Sequence, residues 1–284
     1  LIDEVLAEAG VPRERLQAVG VTVPGLVERA TGTVELAPNL GWKHVPIRQI
    51  VQRALDLPVV VNNVTNAGAI AEGRAGVARG VSSYVWLYVG TGIGAGVVID
   101  GRVFYGHAGY SGEIGHCPVV LDGPECTCGL RGCLEAVASG WAIARAAEQG
   151  VQSGQCAHLQ SNGRPLDARA VFEAAKAGDP AARKIFDDVG SYIGMGISTL
   201  VNVLDPELIV LGGGVMAASD FIVDAARRSA ARHTVRGEGV RIVPSALGDS
   251  FGLLGAVIAA MDHSVRSYRV VATGERLVMD IADS

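Results

Sequence analysis

Apolar positions along this chain switch between helical and alternating spacing, and the switches mark out its elements. Ile2, Val5 and Leu6 recur at helical spacing, which predicts a helix over 1–9. Residues 16–23 form a strand, closed by Pro24-Gly25. Helical spacing returns over 47–55, and Val59-Val60-Val61 is a short buried strand. Asn63 can then cap a helix running to about Gly76, because an Asn side chain bonds the free N–H groups of a first turn. A second series opens near Ser83, with a strand over 84–89 and a glycine loop over 90–96. A hairpin follows, in which 97–99 and 102–104 flank Asp100-Gly101, a dipeptide suited to a type I′ turn. Helices are predicted over 134–149, 167–177 and 181–204. A buried strand over 208–211 stops at Gly212-Gly213-Gly214, a helix covers 220–231, and Ile242-Val243-Pro244 is a strand end. A closing helix spans 252–261, and the tail offers strands over 268–271 and 276–280. There is no fixed-period repeat. The two halves share a strand-then-helix plan, so two lobes with a cleft are expected: a partial first lobe over 1–80, a second over 81–264 whose last helix packs back on the first, and a tail over 265–284.

Composition narrows this to an α/β protein. Apolar residues reach 49% but aromatics only 5%, so the core is built from Val, Leu, Ile and Ala. The 38 glycines call for many tight turns and close backbone approaches, which suit an α/β fold better than a helical bundle. The net charge of -5 leaves no electrostatic footprint for nucleic acid. The most basic stretch, with Arg227, Arg228, Arg232, Arg236 and Arg241, reads as a solvated helix face and loop. No run approaches the ~18 apolar residues of a membrane span. The acidic, amphipathic Leu1-Ile2-Asp3-Glu4 is not a signal peptide, and a cytoplasmic location is expected.

The cysteines carry the strongest chemical signal. Three of the five crowd into Cys126-Thr127-Cys128-Gly129-Leu130-Arg131-Gly132-Cys133. An odd count with that crowding argues against a disulfide framework and for a metal site. Gly129 and Gly132 let the loop fold back, and His116 precedes it in Ser111-Gly112-Glu113-Ile114-Gly115-His116. One imidazole and three thiolates make a closed tetrahedral zinc site of the structural kind, on His116, Cys126, Cys128 and Cys133. The alternative is a set of reduced, unliganded thiols. Cys117 and Cys156 read as ordinary small buried residues.

The stretch 112–116 followed by 126–135 resembles the signature of the ROK family of repressors, open reading frames and sugar kinases. Val23-Pro24-Gly25-Leu26-Val27 and Ala37-Pro38-Asn39-Leu40-Gly41-Trp42 resemble the family's early sugar-side loops. Gly90-Thr91-Gly92-Ile93-Gly94-Ala95-Gly96 resembles its second phosphate loop, and 204–214 its nucleotide-side strand and loop. The resemblance implies a two-lobed, actin-like (ribonuclease H-like) ATPase fold with a zinc loop. It also implies sugar contacts from Glu113, His116 and Glu135, with Asn63, Asn39 and Gly25 on the sugar side as well. The chemistry suits this: a carboxylate accepts from two neighbouring sugar hydroxyls, and a zinc-bound His keeps a second ring nitrogen for another. Solvated surface is the plain alternative for Glu113 and Glu135, and a helix cap for Asn63.

Two departures count against kinase activity. The family's kinases carry a catalytic Asp after an Asn, in a stretch resembling Glu-Asn-Asp-Ala-Asn; here it is Asn62-Asn63-Val64-Thr65-Asn66, and Val64 accepts no proton. The opening strand and Asp-containing phosphate turn of those kinases would lie before Leu1, and the chain opens inside a helix as though cut from something longer. Gly90, Thr91, Gly92, Gly94, Gly212, Gly213 and Gly214 are then a vestigial nucleotide site. The expectation is a sugar-sensing effector domain of a transcriptional regulator, with a small-molecule sugar as ligand. DNA would be reached only through a segment outside this chain, no membrane is involved, and a homodimer or homotetramer is expected. A ROK hexose kinase and a structural or dimerising zinc module are the alternatives.

Overall fold

A computed structural model describes residues 2–156, 159, 166–237, 239–264, 269–273 and 276–280. Leu1 and Tyr268, the expected starts of the first helix and of the first tail strand, lie outside the described residues. Along the chain come α1 (Ile2–Ala9), β1 (Val19–Val23), β2 (Leu26–Glu28), β3 (Thr33–Ala37), β4 (Trp42–Val45), α2 (Ile47–Leu55), β5 (Val59–Asn63) and α3 (Val64–Ala75). Next are β6 (Tyr84–Val89), β7 (Ile93–Ile99), β8 (Arg102–Val103), α4 (Leu134–Ala138), α5 (Gly140–Gln152), α6 (Ala168–Lys176) and α7 (Pro180–Leu204). The chain closes with β9 (Leu208–Gly212), α8 (Ser219–His233), β10 (Arg241–Pro244), α9 (Phe251–Ser264), β11 (Arg269–Thr273) and β12 (Arg276–Asp280). Among the described residues no helix is long and apolar enough to cross a membrane.

The chain divides into two compact units. The first joins 1–79, 105–111 and 250–284. In it β1 and β5 pair in parallel, with Val23 opposite Asn63, and β2, β3 and β4 form an antiparallel sheet. Val23, Val27, Val34, Val59 and Val61 close its core. Helix α9 packs on α3 and β1. Glycines allow that approach: a Cβ on Gly255 would lie 2.7 Å from the Ala67 Cα, and Thr22 Oγ1 donates to the Gly252 carbonyl at 3.1 Å. The sheet β2–β3–β4 has no counterpart in the predicted elements, because its strands are short and separated by glycine turns that read as loop.

The second unit joins 80–104 and 112–249. Its sheet runs β10–β9–β6–β7–β8, parallel across β10, β9 and β6 and antiparallel from β6 to β8. Val85, Leu87, Ile209 and Leu211 face a core completed by Ile193 and Ile197 of α7 and Ile222 of α8. The hairpin turn has Asp100 and Gly101 at φ of 50° and 74°, the left-handed pair that a type I′ turn needs. Two predicted elements require correction. The glycine loop over 90–96 is a loop only as far as Gly92; Ile93 onward is strand, with Gly94 opposite Tyr88 and Gly96 opposite Trp86. Large rings on β6 use the space that glycines leave on β7. The helix over 134–149 breaks at Ser139, which leaves helical conformation to cap α5, accepting from Ala142 N at 3.4 Å. The basic stretch is tied down by acids: Arg227 to Asp224, Arg228 to Asp187, and Arg236 to Asp205.

Helices α7 and α8 meet through Gly190 and Gly194. A Cβ on Gly194 would lie 2.5 Å from the Ser229 Cβ and 2.9 Å from the Ala230 N, both on α8. Gly194→Ala gains up to ~1 kcal/mol of helix propensity but must push α8 away. We expect a net loss of about 1–3 kcal/mol, read as a lower urea midpoint at unchanged slope.

Candidate functional site

The loop over 112–135 lies on β7 and is shaped by left-handed glycines. Gly112 (φ 87°) accepts from Ala95 N at 2.7 Å, and the short 3-10 turn Ile114–His116 places His116 at its end. Gly129 (φ 85°) and Gly132 (φ 71°) turn the chain back, so that Cys126 N donates to Leu130 O at 2.8 Å and Leu134 N to Cys117 O at 2.9 Å. A side chain at Gly129 or Gly132 would be strained in that conformation.

This folding brings one ligand atom each from His116, Cys126, Cys128 and Cys133 within 4.8 Å of one another. Cys128 Sγ lies 3.8 Å from Cys133 Sγ, and Cys126 Sγ lies 3.8 Å from His116 Nδ1. A tetrahedral ion held by sulfur at ~2.3 Å has S···S edges of about 3.8 Å. Two of the donor separations thus already match the edges of a tetrahedral metal site. Burial, with help from the neighbouring Cys128 and Cys126, pushes the Cys133 thiol up to about 12, and burial also raises Cys126. Such thiols become thiolates at neutral pH only with a cation among them.

The three carboxylate and imidazole groups assigned to sugar sit around this cluster. His116 presents Nδ1 to the cysteines and Nε2 to Glu113, whose Oε2 is 3.7 Å away. Burial raises the Glu113 carboxyl, His116 draws it back down, and Glu135 adds to the rise. Glu135, at the start of α4, is buried. Its Oε2 accepts from Ile93 N at 2.9 Å and its Oε1 from Thr127 Oγ1 at 3.0 Å. Glu135 thus ties β7 to the cysteine loop. Thr127, which the sequence left unassigned, sits between two cysteines and anchors that carboxylate.

Gly25, Asn39 and Asn63 belong to the first unit. Asn63 ends β5 and caps α3, its Oδ1 accepting from Asn66 N at 2.9 Å and from Thr65 Oγ1 at 3.1 Å. Beside it Asn62 Oδ1 accepts from Tyr105 Oη at 3.3 Å, and Arg29 lies over the Tyr105 ring. Val64 is the first residue of α3. Gly25 takes φ 91°, where a side chain would press on Ala37, and Asn39 is exposed on the 3-10 turn Pro38–Leu40.

Of the glycine positions, Gly90, Thr91 and Gly92 form a turn closed by Gly90 N donating to Gly92 O at 2.9 Å. Gly94 lies inside β7, Gly212 ends β9, and Gly213 (φ 97°) precedes the 3-10 turn Gly214–Ala218. Gly90, Thr91 and Gly214 border a cavity of about 730 Å³, walled by Trp141, Ala144, Phe172 and Val215 among others. No motif along the chain signalled this wall, because its residues come from α5, α6 and the turn before α8.

Comparison with known proteins fits this geometry. The ROK family profile matches residues 2–263. The chain is 36% identical over 231 residues to the xylose repressor of Caldicellulosiruptor bescii, aligning 80% of itself but spanning only 57% of the repressor. A solved ROK family glucokinase from Streptomyces griseus, in complex with glucose and AMPPNP, is similar at 33% identity and a TM-score of 0.80, covering 92% of this chain and 87% of that one. A solved ROK family transcriptional regulator, a homologue of the E. coli MLC protein, is similar at 30% identity and a TM-score of 0.81, covering 90% of this chain and 65% of that one. With the fold of ROK kinases and regulators, an actin-like ATPase fold, and a His/Cys cluster where the family signature falls, this chain belongs to the ROK family.

Proposed function

We propose that this chain is a sugar-sensing effector domain of a ROK transcriptional regulator and does not phosphorylate its sugar. The observation that carries the proposal is Val64. It directly follows the cap Asn63 at the start of α3, where the family's kinases place a catalytic Asp. Thr65 is no substitute, since its hydroxyl proton is donated to Asn63 Oδ1. The identity to a xylose repressor supports the regulator reading. Contact with DNA is assigned to a segment outside this chain. The competing reading, a hexose kinase, draws on the similarity to a ROK glucokinase and needs a base in place of Val64.

Zinc is the proposed ion for His116, Cys126, Cys128 and Cys133, whose three sulfurs and one nitrogen suit it. Its role there is structural: it holds the cysteine loop and fixes the His116 ring. With Nδ1 turned to the metal, Nε2 is directed toward Glu113 and can donate to a sugar hydroxyl.

Calorimetry with a panel of aldoses and amino sugars is expected to find a binder in the micromolar to millimolar range. Glu113→Ala should weaken it about 10- to 100-fold, the loss expected for hydrogen bonds to a charged group. If no sugar binds, or if Glu113→Ala binds as well as the parent, sensing loses its site and a structural zinc module becomes the better account.

A further inference from the structure

Thr127 is an exposed residue whose hydroxyl turns inward. It donates to Glu135 Oε1 at 3.0 Å, although an exposed threonine can give that hydrogen to water without cost. The acceptor is buried, with Glu135 only 8% exposed. Its other oxygen, Oε2, accepts from Ile93 N at 2.9 Å. The carboxylate is thus pinned at both oxygens, by β7 on one side and by the cysteine loop on the other. Gly92 makes room for it, since a Cβ there would lie 2.7 Å from Oε2. Gly92 takes no positive φ, so its missing side chain serves the carboxylate rather than the backbone of the turn.

The two anchors differ in kind. Ile93 N belongs to a sheet strand and sits opposite Val89. Thr127 lies between Cys126 and Cys128, two of the four clustered metal-ligand candidates, and its Oγ1 is 4.0 Å from Cys126 Sγ. The set of the loop therefore decides where the hydroxyl stands. A β-branched side chain is stiff at χ1, so a shift of the loop backbone becomes a shift of the hydroxyl. A carboxylate offers about four acceptor positions. Two are taken here, and their anchors fix the direction of those left for a sugar hydroxyl.

We propose that Thr127 is a positioning residue for Glu135: its hydroxyl carries the set of the cysteine loop to the carboxylate and so fixes the acceptor geometry offered to a sugar. The proposal rests on the sugar reading above. The test compares Thr127→Val and Thr127→Ser with the parent, as intact chains, by zinc content, thermal midpoint and calorimetric titration with D-glucose, D-xylose and N-acetyl-D-glucosamine. Valine has the shape of threonine, so its methyl group removes the donor and keeps water from replacing it. Thr127→Val is expected to keep the parent's zinc, with a midpoint lowered by no more than a few degrees. It should bind the sugar about tenfold more weakly, the loss expected for a hydrogen bond to a charged group. Thr127→Ser restores the donor and should bind within a few-fold of the parent. Loss of zinc or of the fold in Thr127→Val would assign Thr127 to the folding of the loop and overturn the proposal. Sugar binding by Thr127→Val at the parent's strength, or binding by Thr127→Ser no better than by Thr127→Val, would also overturn it and leave the sugar reading standing. A parent that binds none of the three sugars defeats that reading and the proposal together.

Discussion

Cys133→Ser is expected to yield a chain without stoichiometric zinc and with a clearly lowered thermal midpoint, whereas the parent carries about one equivalent, as a closed four-ligand site should. Cys133 is fully buried, and its sulfur is 3.8 Å from Cys128 Sγ and 3.5 Å from the His116 carbonyl. It also begins the segment that leads into α4, where Glu135 links the loop to β7. Binding of structural zinc is worth about 10–16 kcal/mol in small zinc-dependent domains. Here most of the fold rests on two hydrocarbon cores, so only the part of that free energy coupled to the loop should appear as stability. A loss of about 3–5 kcal/mol would match removal of one partner from a buried charged cluster. Cys128→Ser should lose the metal as well but cost less packing, since Cys128 is exposed. Both variants should release the loop bearing Glu113 and so weaken sugar binding. Metal analysis and thermal unfolding of the three proteins check this. A metal-free parent that is fully folded, with a midpoint matching that of Cys133→Ser, would remove the metal from the account.

The second large effect is the absence of phosphoryl transfer. With ATP and a hexose panel, a coupled assay should show turnover far below the ~1–100 per second typical of kinases. A positioned general base contributes about 10²–10⁴-fold, and an isopropyl group at Val64 contributes none of it. The residual rate should therefore fall at least about a hundredfold below that range even if substrates bind in order. Val64→Asp alone is expected to remain inactive, because the Tyr88 ring lies against both glycine turns where phosphates would be held. Turnover near 1 per second by the parent chain would show that the hexose-kinase reading is correct and that another group serves as base.

Local chemistry made much of this protein legible from its residues alone. Helix α2, strand β6 and the strand Arg276–Asp280 fall where apolar spacing placed them. The Asn63 cap and the Asp100-Gly101 turn were readable because each depends on one side chain or one backbone conformation. The candidate metal ligands could be named from a run with too many cysteines and glycines to be anything but a tight loop, with His116 ten residues before it. Three-dimensional packing decided the rest. Whether Gly94 and Gly96 were loop or strand depended on the rings of Tyr88 and Trp86 on the neighbouring strand, which no window along the chain contains. For Glu135 the plain alternative to a sugar contact was solvated surface; its burial and its bond to Ile93 N, 42 residues away, arise only when β7 folds against α4, while Thr127 anchors its other oxygen from the cysteine loop. The wall of the cavity likewise draws on Trp141, Phe172 and Val215, far apart in sequence. Spacing reports what a residue does to its own turn or strand. What fills the space beside it is set by chain segments that meet only when the core closes, and in this protein that closure is what put a tyrosine between two glycine turns.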